Sequence, residues 1–559
     1  MEQTEAAQIQ ERIESWLNGP YDSSVKEEIR SLQEKNPQAL IDAFYRDLSF
    51  GTGGMRSLMG VGTNRMNVYT VRAATQGLAD VLLDEAGPKK VFIGYDVRIN
   101  SRLFAEETAR VLAGNGIEVY LTSEICPTPL VSFGCRYYGC SAAVMITASH
   151  NPPEYNGYKV YWSDGGQVVY PNDSRIIEKV KKIKSPDQVR LSSLNDPKIQ
   201  WVGEEIDEAY LKELDRLRLY TPQVSLRLIY SNLHGTGLRL VPKALARRGF
   251  SKGLHLVEEQ KSLDGNFPNA PVPNPEEEKA FTLGGKQLLR EEADLLLVTD
   301  PDADRIGAAI RHQGRMVRFN GHELTCLLLA HIATAEPLPP KSAFIKTIVT
   351  TEMAAKIAES FGLKCFNVLT GFKNIASLIH QWERTRSQVF LFGAEESQGY
   401  LFKSFVRDKD GISAACLVAE MAERAKSEGC TLLDRLYALY EQYGVYRQRL
   451  DSFSFADTPV NREKMKKMMA SLRANPPKRF SHRRVERLDD YLLAKESSDV
   501  LHFWLEEGGK LIIRPSGTEP KIKIYSEVCD RSEKSIEERI SFCDEQLRQI
   551  VDEFKMVIK

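Results

Sequence analysis

The sequence predicts an α/β protein: three similar mixed-sheet α/β domains and a C-terminal α+β domain, gathered around a central cleft. Length is the first observation, since 559 residues at about 150 residues per domain give three to four units. The second is a repeated organisation. Apolar, strand-like runs recur in sets of three with helical segments between them, as βαβ units require. The third is that the last run of each set feeds a polar loop, which is where ligands bind in open α/β sheets.

In chain order, residues 1–48 read as a charged helical extension in which Ile9, Ile13, Trp16 and Leu17 form an amphipathic stripe. It would dock on the first domain or on another subunit. FGTGGMR, Phe50 to Arg56, follows; it is either a glycine-rich turn that brings backbone N–H groups to a phosphate or a tight irregular connection. Strand runs near 91–96, 118–122 and 142–147, with a helix over 103–114, define a first domain, 49–221. Runs at 226–232, 254–258 and 294–300 define a second, 222–338, and runs at 343–349, 364–369 and 389–397 a third, 339–450. The divisions fall where turn residues cluster, at Tyr220-Thr221-Pro222, at Pro337-Leu338-Pro339-Pro340 and in DSFSFADTPV, 451–460. In the last unit, 451–559, strands GGKLIIR and IKIYSEV flank RPSGTEPK. A closing helix there carries Ile536, Ile540, Cys543, Leu547, Ile550, Val551 and Phe554 on one face.

Composition excludes several classes. Apolar residues are 42% and charged residues 27%, which is ordinary for a globular chain, and the formal net charge is -1. No bulk attraction to nucleic acid or an acidic membrane follows from that balance. Nine cysteines without CxxC spacing predict reduced, buried thiols and a cytoplasmic setting. The first residues lack a cationic start and an apolar signal core. No uncharged run approaches the roughly 20 residues of a membrane span.

Four motifs carry chemistry. TASHNP, Thr147 to Pro152, ends the buried run Ala142–Ile146 and presents Ser149 where a strand breaks, with Gly157, Tyr158 and Lys159 following. A serine there is either a helix cap or a working hydroxyl. DPDADR sets Asp300, Asp302 and Asp304 at alternate positions after LLLV, so three carboxylates converge and call for a divalent cation. Oxygen ligands without His or Cys favour Mg²⁺ over zinc. GAEES, Gly393 to Ser397, and Thr370-Gly371-Phe372-Lys373 suit a phosphosugar and its vicinal hydroxyls, and equally a helix N-cap with an acidic first turn. RPSGTEPK joins Arg514, Ser516 and Thr518 to Gly517, the donors and the close backbone approach a phosphate cradle needs. His150, adjacent to Ser149, does not by itself set a base–nucleophile geometry, and no GxSxG elbow surrounds it, which excludes a serine protease.

With TASHNP, DPDADR, EES and RPSGTEPK in this order over nearly its whole length, the chain resembles the α-D-phosphohexomutases. FGTGGMRSLMGVGTNRMN and the helical leader resemble the phosphoglucomutase/phosphopentomutase branch. The resemblance implies four domains and a phosphoserine at Ser149 that donates its phosphoryl to a hexose 1-phosphate. The resulting bisphosphate, glucose 1,6-bisphosphate for a glucose substrate, turns over in the cleft and returns its other phosphoryl to Ser149. It also implies Mg²⁺ held by Asp300, Asp302, Asp304 and the phosphoserine, with Lys159 as acid/base and Arg56 near the transferring phosphoryl. Arg305, Thr370, Gly371, Glu395, Ser397 and Lys409 match ligand-contacting positions, and Arg514, Ser516, Gly517 and Thr518 match the loop that grips the other phosphate. Small-molecule sugar phosphates are the implied partners, with neither nucleic acid nor membrane. Ala394 replaces the glycine of GEES, and Gln398 stands where an aromatic is common. The acidic pair resembles the glucose type rather than GEMSG, so glucose phosphate is expected, with pentose or mannose phosphate as alternatives. LLLVTDPD also resembles the start of haloacid-dehalogenase-type phosphatases, with Asp300 as nucleophile. A magnesium-dependent phosphatase and a non-catalytic sugar-phosphate-binding protein are therefore the readings of another class.

Overall fold

The computed structural model describes residues 2–48, 54–221, 223, 225–335, 337–455, 458–493, 498–516 and 521–558. Three helices come first, Glu2–Asn18, Ser23–Lys35 and Pro37–Phe44. Their apolar faces meet through Ile13, Trp16, Ile29 and Phe44, and Val61 and Tyr69 of the first sheet domain join the same cluster. The Tyr69 hydroxyl donates to Asp22 Oδ2 at 2.8 Å. Of the two dockings open in sequence, the leader takes the one on its own first domain.

The first sheet contains β1 (Gly54–Leu58), β2 (Lys90–Tyr95), β3 (Glu118–Thr122), β4 (Ala142–Ile146), β5 (Tyr155–Trp162) and β6 (Ile199–Val202), in the order β1-β5-β4-β2-β3-β6. Strands β4, β2, β3 and β6 are parallel, and β5 returns antiparallel to β4 with β1 antiparallel beyond it. The second sheet repeats the plan with β7 (Leu228–Ser231), β8 (Leu254–Leu256), β9 (Leu295–Thr299), β10 (Ile306–His312) and β11 (Arg315–Phe319), in the order β11-β10-β9-β7-β8. The third holds β12 (Ser342–Thr347), β13 (Lys364–Val368), β14 (Val389–Glu395) and β15 (Gly399–Phe402), in the order β13-β12-β14-β15. In each sheet one buried parallel strand, β4, β9 or β14, turns straight into an antiparallel return strand, β5, β10 or β15. Every position of β4 and β9 is buried, because helices cover both faces of a parallel sheet.

The fourth sheet is antiparallel throughout: β16 (Val445–Ser454), β17 (Arg479–Phe480), β18 (Arg483–Asp490), β19 (Leu501–Leu505), β20 (Gly509–Pro515) and β21 (Lys521–Asp530), in the order β16-β21-β20-β19-β18-β17. The closing helix Ile536–Ile558 buries Cys543, Leu547, Ile550, Val551 and Phe554. The three mixed sheets and the antiparallel C-terminal sheet are the architecture expected from the sequence. One element crosses an expected division, and another packs against the unit beyond its own. Strand β16 spans 450/451, because its ladder with β21 runs from Val445 opposite Asp530 to Ser454 opposite Lys521. Helix Gly321–Ala335, before 338/339, packs against helix Glu352–Ser360 and β14 of the third unit.

The third and fourth sheets are fastened by buried charge. Lys510 on β20 donates to Ile348 O at 2.8 Å, Thr350 O at 2.6 Å and Glu352 Oε1 at 2.8 Å. Lys346 on β12 donates to the same Glu352 oxygen at 2.8 Å, and both lysines are buried. Ile348 and Val349 pack beside them on Val500, Ile512 and Tyr525.

Candidate active site

Three of the four sequence-derived motifs occupy the turns that follow β4, β9 and β14. After β4, Thr147 N donates to Gly157 O at 3.1 Å and Ser149 N to Thr147 Oγ1 at 2.8 Å. That turn holds Ser149 in the left-handed region, φ 52°. A Cβ on Gly157 would lie 2.4 Å from Thr147 O, so β5 passes the turn this closely only as glycine. Ser149 is 3% exposed, and its Oγ donates to Asp300 Oδ2 at 3.0 Å across the boundary between the first two sheets. His150 Nδ1 also lies 3.2 Å from Oγ, a proximity that adjacency in sequence did not establish. Burial, then Arg305, Arg56 and Lys159, hold this imidazole well below its ordinary value, so it is neutral.

After β9, Asp300, Asp302 and Asp304 each place a carboxylate oxygen within 4.8 Å of the other two, all buried. Asp302 Oδ2 accepts from Thr128 Oγ1 at 2.8 Å and from Lys159 Nζ at 2.8 Å. Asp304 Oδ2 lies 3.3 Å from Lys159 Nζ and 3.1 Å from Lys409 Nζ. Asp302 Oδ1 and Asp304 Oδ1 are buried without a hydrogen-bond partner among the described residues. Burial and then its two aspartate neighbours raise Asp300 well above the usual carboxyl range. Burial also opposes ionisation of Asp302, but Lys159 outweighs it and the carboxyl stays below that range. Buried oxygens without donors, on an all-carboxylate set, fit a hard divalent cation.

Lys159 stands on β5 opposite Met145 of β4 and Gly54 of β1. Burial pulls its ammonium down, and Asp302 and Asp304 more than offset that, so it remains charged. Arg56, on β1 opposite Gly157, donates to Asn151 Oδ1 at 2.9 Å in the serine loop. The glycine-rich segment before it is thus partly a strand, Gly54–Leu58, rather than a turn throughout, and 49–53 lie outside the described residues. Arg305 N donates to Asp300 Oδ1 at 3.0 Å, and its guanidinium pairs with Glu276.

After β14 the two glutamates diverge. Glu395 Oε1 accepts from Gly371 N at 2.9 Å, whereas Glu396 Oε2 turns back to Thr347 Oγ1 at 2.9 Å. Burial, opposed by Lys409 and reinforced by Glu396, pushes Glu395 up to about 7. Ser397 is half-buried in the same turn, and Thr370 is half-buried beside Gly371. Lys409 lies over the Phe372 ring, 5.7 Å from its centroid.

On the fourth sheet, Ser516 N donates to Lys521 O at 2.7 Å and closes the end of β20 onto β21. Gly517 and Thr518 lie outside the described residues. Arg514 pairs in register with Lys523, whose ammonium is pushed down by burial, then by Arg514 and Lys521. This crowding of cations is the kind of field that an anion relieves. A cavity of ≈ 180 Å³ between the second, third and fourth sheets is lined by Glu276, Glu396, Gln398 and Tyr525 among others.

The structure therefore brings Ser149, Lys159, the three aspartates, Arg305 and Lys409 into one bonded cluster, with Arg56 joined to the serine loop through Asn151 and Glu395 beside Lys409. Arg514 stands apart, reached through Lys523, Glu276 and Glu396. Sequence reasoning missed Arg98, Thr128, Glu276 and Lys523. Only Lys523 had a local signal, the alternation Lys521-Ile522-Lys523-Ile524 that puts both lysines on one strand face.

Comparison with known proteins gives one answer across the chain. Models of the phosphoglucomutase/phosphomannomutase family match in order: alpha/beta/alpha domain I at residues 47–187, domain II at 208–314, domain III at 320–443 and the C-terminal domain at 479–540. A phosphoglucomutase of Staphylococcus haemolyticus is 35% identical over 501 residues, 86% of this chain and 90% of that protein. One of Staphylococcus aureus is 33% identical over 545 residues, 94% and 97% respectively. Among solved structures, Paramecium pp63/parafusin in its open form aligns with a TM-score of 0.68 at 18% identity, covering 92% of this chain and 94% of that one. The N-acetylphosphoglucosamine mutase of Aspergillus fumigatus, solved with GlcNAc-6P and magnesium, gives 0.50 at 14% identity, covering 95% and 99%.

Proposed function

The chain belongs to the α-D-phosphohexomutase family and is a phosphohexomutase, an intramolecular phosphotransferase; from that premise we propose that it interconverts glucose 1-phosphate and glucose 6-phosphate through a phosphoserine at Ser149. One observation carries the assignment of the nucleophile. Ser149 Oγ, on a buried left-handed turn, hydrogen-bonds at 3.0 Å to Asp300 of the carboxylate cluster. The family match disfavours the phosphatase reading, which leaves the serine and cradle domains idle, and the joint presence of Ser149, the three aspartates and Lys159 weighs against a binding protein without turnover.

In the proposed cycle the P–Oγ bond of phosphoserine breaks as the carbon-6 hydroxyl of glucose 1-phosphate bonds to phosphorus, giving glucose 1,6-bisphosphate. The proton released by that hydroxyl ends on Ser149 Oγ, and Lys159 Nζ is the group assigned to carry it. The bisphosphate then exchanges its ends, and Ser149 Oγ takes the carbon-1 phosphoryl, leaving glucose 6-phosphate. Asp300, Asp302, Asp304 and the phosphoserine oxygen would hold Mg²⁺, which neutralises charge on the transferring phosphoryl. Arg56 and Arg305 supply further positive charge there, as phosphoryl transfer requires positioning and charge stabilisation above all. Glu395 and Ser397, with Thr370 and Gly371, read the sugar hydroxyls. Lys409, held between Asp304 and Asp408, adds a further positive charge for the substrate. Arg514 and Ser516, with Gly517 and Thr518, hold the phosphate that is not moving, and Lys523 adds a charge to that cradle.

Glucose is favoured over mannose and pentose by the Glu395-Glu396-Ser397 turn and by the phosphoglucomutase relatives. A cytoplasmic setting accords with nine free cysteines. Among the described residues no helix is long and apolar enough to cross a membrane. Phosphorus NMR with Mg²⁺, a trace of hexose bisphosphate and equal glucose, mannose and ribose 1-phosphates in one tube tests the reading. Fastest depletion of glucose 1-phosphate into its 6-phosphate is expected. Preferential loss of another sugar overturns the substrate, and growth of inorganic phosphate overturns the mutase assignment.

A further inference from the structure

Arg98 follows β2 and lies 51 positions before Ser149, in a segment to which no motif assigns a role. Its side chain is wholly buried, and its guanidinium is spent on backbone. Nη1 donates to Pro152 O at 2.8 Å and Tyr155 O at 3.1 Å, while Nη2 donates to Ser149 O and Asn151 O, each at 2.5 Å. The connection from β4 to β5 therefore closes around one planar fork. Asp96 faces the third side, 3.3 Å from Nε, and is itself fixed by Arg98 N at 2.9 Å and Ser101 Oγ at 2.6 Å.

The second domain supplies the remaining wall. Phe267 is fully buried and places its ring centroid 5.0 Å from the guanidinium carbon, within the range of a cation–π contact. Gly265 lies against the backbone on either side of Arg98, so close that a Cβ there would come within 2.9 Å of Arg98 Cα. The loop that carries the nucleophile is thus gripped by a residue of its own domain, and that residue is braced by a loop of the domain that carries the three aspartates.

We propose that Arg98 is a positioning residue for phosphoryl transfer, which holds Ser149 in its left-handed conformation against Asp300 and, through Gly265 and Phe267, makes that pose depend on the docking of the first two domains. The inference rests on Ser149 as the nucleophile. Four carbonyls converging on a buried site need a donor with several N–H groups in a plane. Lysine keeps the charge but loses the fork. A non-glycine residue at positive φ persists only where its surroundings impose it, and the four bonds from Arg98 are such an imposition. Misplacement of a reacting group by about 1 Å costs about 10²-fold in rate.

The test compares wild type with Arg98→Lys and Phe267→Leu, by steady-state kinetics and by the rate of phosphoryl transfer from labelled glucose 1,6-bisphosphate to Ser149. Arg98→Lys is expected to lower kcat and the transfer rate about 10²-fold with KM within about twofold. Phe267→Leu should lower both in the same sense by about tenfold. Wild-type kcat in folded Arg98→Lys overturns the proposal. So does a loss confined to thermal stability, with kcat per folded molecule unchanged, since that marks a merely structural arginine. If Arg98→Lys does not fold, Phe267→Leu decides alone, and full kcat in it overturns the coupling between domains. Wild-type protein that never labels at Ser149 removes the phosphoserine reading itself, a failure separate from the other outcomes.

Discussion

Replacing Glu352 by glutamine should loosen the fourth sheet from the third without touching the turn after β14 or the end of β20. In the native protein one carboxylate oxygen serves both Lys346 and Lys510, each at 2.8 Å. Glutamine keeps the shape and one acceptor but leaves two buried ammonium groups with only the more distant Glu527, 3.9 Å from Lys510 Nζ, as a counter-charge. Breaking a buried pair in that way costs about 3–5 kcal/mol. With 1.36 kcal/mol per decade, amides of β20 and β21 that open with this interface should exchange roughly 10²- to 10⁴-fold faster. Lys510→Met provides the control, because Lys346 and Glu352 remain paired; a loss of about 1–3 kcal/mol is expected. Hydrogen exchange read by mass spectrometry on β20 peptides measures both. Burial works against ionisation of Glu352, but Lys346 and Lys510 outweigh it and hold the carboxyl below its ordinary value of 4.5. The stabilisation is therefore present above that value and is lost as pH falls below it, so native exchange at β20 should accelerate below about pH 4.5 more than in Glu352→Gln. Equal exchange in Glu352→Gln and wild type at neutral pH would refute the reasoning.

Three further outcomes concern the chemistry. Ser149→Ala should abolish turnover with an unchanged circular dichroism spectrum, and a folded, active variant would sink the mechanism. Arg514→Ala removes charge-assisted bonds to a phosphate worth about 1.5–3 kcal/mol; KM should rise roughly 10- to 100-fold while kcat changes less, and an unchanged KM argues against the cradle. Chelation of divalent cations should stop the reaction and added Mg²⁺ should restore it, as the unpartnered oxygens of Asp302 and Asp304 require; full activity in chelator is the contrary result.

The parts of this molecule that sequence displays are those buried on two sides. Strands β2, β4, β7, β9, β12 and β14 are largely buried apolar runs, and the motifs stand directly after β4, β9 and β14. Return strands such as β5 and β15 were not distinguished, since β5 bears Lys159 and Asn156 among its apolar positions and β15 has only four residues, Gly399–Phe402. Strand β1 was hidden by the glycine-rich run that leads into it, whose last member, Gly54, lies where a Cβ would fall 2.0 Å from Tyr158 O. Within the site, Ser149 and the aspartates were legible because unusual residue types stand where a core strand ends. Arg98, Thr128 and Glu276 were not, because each acts on a partner far along the chain. Thr128, for instance, is separated from Asp302 by 174 positions.

The three turns differ in where their bonds lead. Ser149 and Lys159 are tied across to the second sheet, through Asp300 and Asp302. The hydrogen bonds to the carboxylates of Glu395 and Glu396 come from their own sheet domain, from Gly371 and Thr347. Backbone stitches the third turn to the second sheet, Ile306 N donating to Gln398 O at 3.1 Å, so a lineage of such proteins can edit that turn's side chains one at a time, while Ser149, Lys159 and the aspartates hold one another and change together.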